Sequence, residues 1–566
     1  MNRREVLSLS VNAAALAAAG SLWMSEARSA TPSRYEPSFP LLDRFIEQYL
    51  RDMNAPGLTL VLADATGVQR VCAYGLDNLA TRRPLDEGEH FHIGSITKSF
   101  TALCLLQLHE EGKLDLHRPI SAYLPWLKFD PATRPITTHD LLTHGAALPD
   151  GALFPADPTL RHRATAAPGT FFHYCNMGFE AMGLLIETLD GRSFAEALRA
   201  RLLAPLGMGA TEPVITLDLL GRLATSYAVE KNDRPYPRLG ALAPAPGIVM
   251  TGASGSIAST ARDMGSYLTL LINQGRLGRA RLVSEAAWTL FSTGHIAAEE
   301  FGPGAKYGYG IAVDTLDGHR RLRHTGGMVS FASALEVDLD SGVGVFASVN
   351  SMQGYRPRPV AEYALRLLRA CRDEAALPAV PPAHPPLEVE KPHDYAGRYN
   401  AADGRALEVV AEGDRLNLVH AGARVPMEPA LGVEDGFIVH HADFWKFPLV
   451  FGREGKDGKG AVVEAGWGGD WYAGSGYAGP RTFTPPAEWR HYVGHYRNED
   501  PWIGSAIVVE RRGRLWLNGV VPLEPAGGTK FWFRDEPDNP EWIAFYDLAN
   551  GHAMRISLSG QDLKRV

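Results

Sequence analysis

The chain has 566 residues, with 45% apolar and 21% charged side chains, so it folds into globular domains, roughly two to four of them, with sizeable cores. Its net charge of -8, with no basic cluster beyond the N-terminus, argues against nucleic acid as the main partner. Cys72, Cys104, Cys175 and Cys371 show no paired spacing and no C-x-x-C, so neither a required disulfide nor a metal site is expected, and no cofactor motif is present.

Arg3 and Arg4 precede an apolar stretch from Val6 to Met24, and small residues follow near Ala27 and Ala30. Residues 1–30 read as a signal peptide of the twin-arginine type, which places the mature protein in the periplasm or outside the cell. A single membrane anchor is the alternative, although this alanine- and serine-rich stretch is only marginally long enough to span.

Leu41 to Leu50 has helical spacing, Gly57 to Ala63 reads as a strand, and Val71 to Gly75 as its hairpin partner. A nearly continuous apolar run follows Ser95 up to Leu108 and stops at Gly112, as a buried helix does. Phe179 to Leu189 and Phe194 to Leu203 also have helical spacing. Gly308 to Asp314, Ala332 to Asp338 and Val343 to Val349 read as strands, and Val360 to Cys371 as a closing helix. Residues 31–375 therefore predict an α+β domain, an antiparallel sheet flanked by helices.

A proline-rich linker spans 376–390. Beyond it the chain repeats with a period of about 97 residues. Tyr395-Ala-Gly-Arg-Tyr399 matches Tyr492-Val-Gly-His-Tyr496, and Val425-Pro-Met-Glu-Pro-Ala430 matches Val521-Pro-Leu-Glu-Pro-Ala526. Each copy carries a strand pair, Leu407 to Leu418 and Ile507 to Leu517, which predicts two tandem antiparallel barrels over 391–485 and 486–566. His440-His441 lacks a metal-ligand pattern and is expected in an exposed strand.

Of the eleven lysines, only Lys98 has a serine three residues upstream, Ser95. On a helix the two side chains share a face, and a lysine amine can serve as base to a serine nucleophile. In the first helical turn, free backbone N–H groups can stabilise an oxyanion. An ordinary core helix capped by serine would carry the same residues.

Tyr174-Cys175-Asn176 supplies a phenol that can share a proton with a lysine and an amide that can bond a substrate carbonyl. A second Tyr-x-Asn, Tyr496 to Asn498, lies in a repeat marker and is structural. His324-Thr325-Gly326-Gly327 is the only basic-Thr-Gly; as an edge strand, its glycines would admit a substrate backbone. Leu141-Leu-Thr-His144 opens a loop, or ends a helix.

In this order the three motifs resemble the serine hydrolases of the β-lactamase and penicillin-binding protein group, in particular its class C β-lactamase and D,D-peptidase branch. The resemblance covers residues 38 to 370. It extends to Pro168-Gly169, Leu203-Ala-Pro-Leu-Gly-Met208 and Gly252-Ala-Ser-Gly-Ser-Ile-Ala-Ser-Thr260.

The resemblance implies a β-lactamase-like domain with Ser95 as acylated nucleophile and Lys98 and Tyr174 as general base and acid. It implies that Asn176 orients the substrate amide and that His324 and Thr325 flank its far end. Gly326 would let the substrate approach, and the N–H groups of Ser95 and Gly327 would form an oxyanion hole. Relatives usually have Thr-Ser-Gly where this chain has Gly145-Ala146-Ala147, and lysine where it has His324.

A histidine there favours substrates without an obligatory carboxylate. The expected activity is cleavage of amide bonds in small peptides, including those with D-residues. An esterase, a β-lactamase or a non-hydrolytic sensor of peptidoglycan fragments uses the same set. The barrels after the hydrolase domain resemble the layout of bacterial D-aminopeptidases, in which a barrel loop reaches the active site. Gly466 to Tyr477 would be that loop, with Asp470 binding a substrate ammonium, and a barrel closing turn is its plainer reading. A peptide or other small substrate is the expected partner, and a homo-oligomer is compatible with the sequence.

Overall fold

The computed structural model describes residues 33–155, 160–229, 240–352, 357–382, 386–455, 458–533 and 538–566. The expected signal peptide lies outside them. Among the described residues no helix is long and apolar enough to cross a membrane.

The first domain is built on a nine-stranded antiparallel sheet. Its centre joins distant parts of the chain: the strand Gly57–Asp64 pairs with Val343–Val349 on one side and with Gly67–Asn78 on the other. All residues of Gly57–Asp64, Ala332–Asp338 and Val343–Val349 are buried. That is why Gly57–Asp64 and Val343–Val349 read as near-continuous apolar runs, since both faces of the sheet are covered.

One face carries the two terminal helices, Phe39–Asp52 and Arg358–Arg372, where Leu42, Phe45 and Ile46 meet Val360, Ala361 and Ala364. The rings of Phe45 and Tyr363 meet edge to face at 5.0 Å. Removing such a buried apolar side chain from water contributes about 1.5–3 kcal/mol.

The opposite face carries the main core, and the helix Thr97–Glu110 runs through its middle. Eleven of its side chains are buried, spread over every face. This accounts for a sequence without an amphipathic stripe. Phe100 stacks on Tyr267 at 3.7 Å, and the Tyr267 hydroxyl donates to Ser99 Oγ at 2.7 Å. Cys104 is a core residue, and burial pushes its thiol up to about 12.

The C-terminal region forms two closed eight-stranded barrels. The first closes where Asn400 pairs with Ala473, the second where Tyr496 pairs with Arg565. The repeated tyrosines have a shared cause: Tyr399 Oη donates to Tyr395 O at 2.9 Å, and Tyr496 Oη to Tyr492 O at 2.8 Å. Each bond ties the turn before a barrel to its first strand. This gives the second Tyr-x-Asn a structural context.

The doublet expected in an exposed strand sits just past one instead. The strand Gly436–Val439 ends before it, half-buried His440 bonds Glu428 at 3.0 Å, and His441 caps the 3-10 turn Ala442–Phe444.

The barrels pack on each other and on the first domain. Arg512 of the second barrel pairs with Glu464 of the first at 2.5 Å, and Arg511 donates to Gly468 O at 3.0 Å. Thr165 Oγ1 of the first domain donates to Asp538 O at 2.6 Å.

Candidate active site

Ser95 lies in a 3-10 turn, Gly94–Ile96, that runs into the buried helix. Gly94 takes φ +53°, and a Cβ there would lie 2.8 Å from Gly327 N. The turn is therefore pressed against the strand His319–Gly327. At Gly326 any Cβ would overlap the Ile93 carbonyl oxygen. Both glycines are required by this close approach. It brings Ser95 and Gly327 together in the lining of one cleft.

The same strand pairs with Ala332–Asp338 along Arg321 to Gly327, but its other ladder, to Ala312–Leu316, stops at Arg323. Residues 324–327 thus have a ladder partner on one side only, which makes this stretch the edge toward Ser95.

One helical turn beyond Ser95, the Lys98 side chain is fully buried. Its Nζ lies 3.0 Å from Ser95 Oγ, 2.7 Å from Asn176 Oδ1 and 2.8 Å from Ser254 O. Two of these partners are carbonyl oxygens, which only accept. They hold two N–H groups of the amine, and its third direction points at the serine hydroxyl. With two protons on the nitrogen, that direction carries the lone pair.

Tyr174 completes the cluster. Its ring lies 4.8 Å from Lys98 Nζ and 4.2 Å from the ring of His144. His144 is wholly buried, and Cys175 N–H donates to its Nδ1 at 3.0 Å. Burial, with Lys98 and His324 nearby, holds its imidazole well below the ordinary range, so it is a neutral platform beneath the phenol.

Asn176 begins the helix Asn176–Asp190. Its Nδ2 donates to Asp150 Oδ2 at 2.8 Å, and Asp150 Oδ1 accepts the N–H groups of Asn176 at 2.7 Å and Met177 at 3.1 Å. A carboxylate at a helix N-terminus satisfies orphan donors and the positive dipole end. Here it also fixes which way the Asn176 amide faces.

His324 has both ring nitrogens engaged. Nδ1 donates to Thr325 O at 2.7 Å, and Nε2 pairs with the Tyr307 hydroxyl at 2.9 Å. The ring is buried under Tyr307 and Phe301 rather than extended into solvent.

Ser95, Tyr174, Asn176, His324, Thr325 and Gly327 line one cleft of about 780 Å³. Its outer wall carries Arg323, which pairs with Asp314 at 2.6 Å, and Arg358, which pairs with Glu362 at 3.0 Å. Glu300 brings a carboxylate to the same wall.

Asp470 is not brought to this cleft. It sits past the two-residue turn Gly468-Gly469 of a hairpin and forms a two-pronged bridge to Arg405, at 2.8 and 2.9 Å. The segment around it packs on the second barrel, where Arg512 meets the Trp471 ring at 5.4 Å and Tyr477 Oη at 3.1 Å. Leu431 of the first barrel and Trp502 of the second reach the cleft instead.

Sequence reasoning gave no role to Ser254, Asp150, His144 or Tyr307. Asp150-Gly151 has a turn signature, but its reach to Asn176 depends on tertiary packing.

The β-lactamase family profile matches residues 42–370, more than half of the chain. Esterase EstB of Burkholderia gladioli is 30% identical over 194 residues, 30% of this chain and 49% of the esterase, so the match spans about half of that relative. Penicillin-binding protein 4* of Bacillus subtilis (strain 168) is 22% identical over 395 residues, 64% of this chain and 84% of its own. The octameric penicillin-binding protein homologue from Pyrococcus abyssi superposes with a TM-score of 0.54 at 26% identity, covering 76% of this chain and 96% of that one.

Proposed function

Because the chain belongs to the β-lactamase family, we propose that it is a serine hydrolase that forms an acyl intermediate on Ser95 and cleaves amide bonds in small peptides, including those with D-residues. The observation that carries this reading is the placement of Lys98, whose buried amine is held by two carbonyl oxygens with its third direction on the Ser95 hydroxyl.

In the first step Ser95 Oγ attacks the scissile carbonyl as its proton passes to Lys98 Nζ, with the Tyr174 phenol beside them to relay it. The N–H groups of Ser95 and Gly327 take up the charge on the tetrahedral oxygen. Collapse breaks the C–N bond, and the relayed proton leaves with the amine. Water then attacks the acyl-serine, giving its proton to the same base; the bond from the acyl carbon to Ser95 Oγ breaks, the base returns the proton to that oxygen, and the acid product departs.

A substrate without an obligatory carboxylate is supported by the third motif. A lysine there would offer a mobile cation to a substrate carboxylate, whereas His324 is tied to Tyr307 and Thr325. The two cleft arginines have carboxylate partners of their own. Ester hydrolysis by the same steps is a second reading, supported by the similarity to Esterase EstB. The paired arginines before the apolar N-terminal stretch support export, and the octameric homologue supports a homo-oligomer, which light scattering tests.

The deciding experiment is intact-mass spectrometry after treatment with a fluorophosphonate, with a penicillin, and with D-alanine p-nitroanilide. Labelling of Ser95 by the phosphonate, release of p-nitroaniline and little lasting penicilloyl adduct are expected. A stable penicilloyl-Ser95 without amide turnover would overturn the amidase reading in favour of a sensor.

A further inference from the structure

The second barrel places a carboxylate directly behind the catalytic cluster. Glu541 is more than three quarters of the chain away from Lys98 in sequence, and its side chain is only 16% exposed. Its Oε1 accepts the backbone N–H of Asp150 at 2.5 Å and bonds His173 Nε2 at 2.9 Å. Its Oε2 accepts the Ser559 hydroxyl at 2.5 Å. These three bonds outweigh the effect of burial and hold its carboxyl below the usual range.

Beside it, Asp150 is shifted the other way, upward, by burial and by the Glu541 charge. Two largely buried acids are adjacent, each held by three hydrogen bonds. Close contact continues at Gly151, where any Cβ would overlap Ser559 O. The loop carrying Asp150 is therefore seated against the barrel without a side chain between them.

A line of contacts runs from this seat to the nucleophile. Glu541 holds the Asp150 backbone. The Asp150 carboxylate holds the Asn176 amide and the first two N–H groups of its helix. The Asn176 oxygen then holds Lys98 at 2.7 Å. Every joint in this line is a hydrogen bond to or from a buried or half-buried group, where loss of a partner is most strongly felt.

We infer that Glu541, carried by the second barrel, is a positioning residue for the Ser95–Lys98 pair, acting through Asp150 and Asn176. This rests on Ser95 and Lys98 being nucleophile and base. The barrel is then part of the hydrolase rather than an appended docking module. Undocking it would loosen the catalytic lysine.

The test uses the full chain and the rate at which a fluorophosphonate labels Ser95, a readout independent of the natural substrate. Glu541→Ala should slow labelling by about tenfold or more, the scale of a small misplacement of reacting groups. On p-nitrophenyl acetate, kcat should fall while KM stays within about twofold. Glu541→Gln keeps an oxygen to accept Asp150 N–H and should restore labelling to within about threefold of wild type. Thr165→Val breaks another bond at the same interface and should label within about twofold of wild type.

Wild-type labelling in Glu541→Ala, or equal slowing in Thr165→Val, overturns the inference and leaves mere docking. If Glu541→Ala does not fold, Glu541→Asp withdraws the acceptor by one methylene. The same slowing is expected of it, and wild-type labelling there overturns the inference. A wild-type chain that is not labelled at Ser95 ends the hydrolase reading as well, so the two failures are told apart.

Discussion

The side-chain oxygen of Asn176 lies 2.7 Å from Lys98 Nζ, nearer than the Ser95 hydroxyl at 3.0 Å. With Ser254 O at 2.8 Å it fixes the amine from two sides. Both oxygens accept from Lys98. Lys98 therefore holds the site together beside the base role proposed for it, and the two roles separate experimentally.

Ser95→Ala should abolish fluorophosphonate labelling with the thermal midpoint unchanged, because only one hydroxyl is lost. Lys98→Met should reduce acylation by about 100-fold to 10,000-fold, the range for loss of a general base. It should also lower stability by about 1–3 kcal/mol, because Asn176 Oδ1 and Ser254 O lose their partner. Unchanged turnover in Ser95→Ala would sink the mechanism. Denaturant titration of both variants reads the stability difference.

Gly326→Ala tests the close approach of strand and turn. The added methyl meets the Ile93 carbonyl oxygen, a backbone atom that cannot swing aside. A loss of about 1–3 kcal/mol in stability is expected, with loss of acylation, since Ile93 directly precedes the Ser95 turn. A thermal melt and a labelling time course check this. A variant that is both stable and active would refute the packing argument.

Trp502 and Leu431 bring the barrels to the cleft, and Trp502 remains 46% exposed. Trp502→Ala should raise KM for a tripeptide amide by about tenfold, equivalent to about 1.4 kcal/mol of lost contact. It should leave kcat on p-nitrophenyl acetate within about twofold, because that substrate is too short to reach the indole. Equal effects on both substrates would mean that the indole supports the fold instead.

Acid should destabilise this protein between pH 6.5 and 4. His92 sits two residues before Gly94, its ring 4.8 Å from Phe331, and neither ring nitrogen has a partner among the described residues. Burial pulls its imidazole down from 6.5 to about 4. The unfolded chain therefore takes up this proton near pH 6.5 and the folded chain only near pH 4. Its contribution is complete above pH 6.5 and is lost as pH falls, by about 3 kcal/mol at the low end. His139, also pulled to about 4 by burial and by His295, adds to the slope. His92→Phe should flatten the pH dependence of urea midpoints, and an unaltered slope would exclude His92 as its source.

Much of the molecule was legible in the sequence because local patterns carry it. The near-continuous apolar run of Val343–Val349 marks a strand covered on both faces, and that segment is such a strand. The repeated Tyr-x-Gly-x-Tyr marks the entry to each barrel, and it does so through one local hydrogen bond in each copy. Ser95 and Lys98 are one helical turn apart, so their meeting is a property of the helix itself.

What only the tertiary structure decided is what surrounds that pair. Asp470 reads like a ligand for a cation, but Arg405 lies across from it on the folded barrel and takes its carboxylate. His324 reads like a basic group facing substrate, but Tyr307 and Thr325 O engage its nitrogens. Asp150 and Glu541 carry no motif, because their role depends on which atoms they face and not on their chemistry alone. Hydrogen bonds across tens or hundreds of residues are set by packing, and sequence spacing encodes only those that close within a turn of helix or a hairpin.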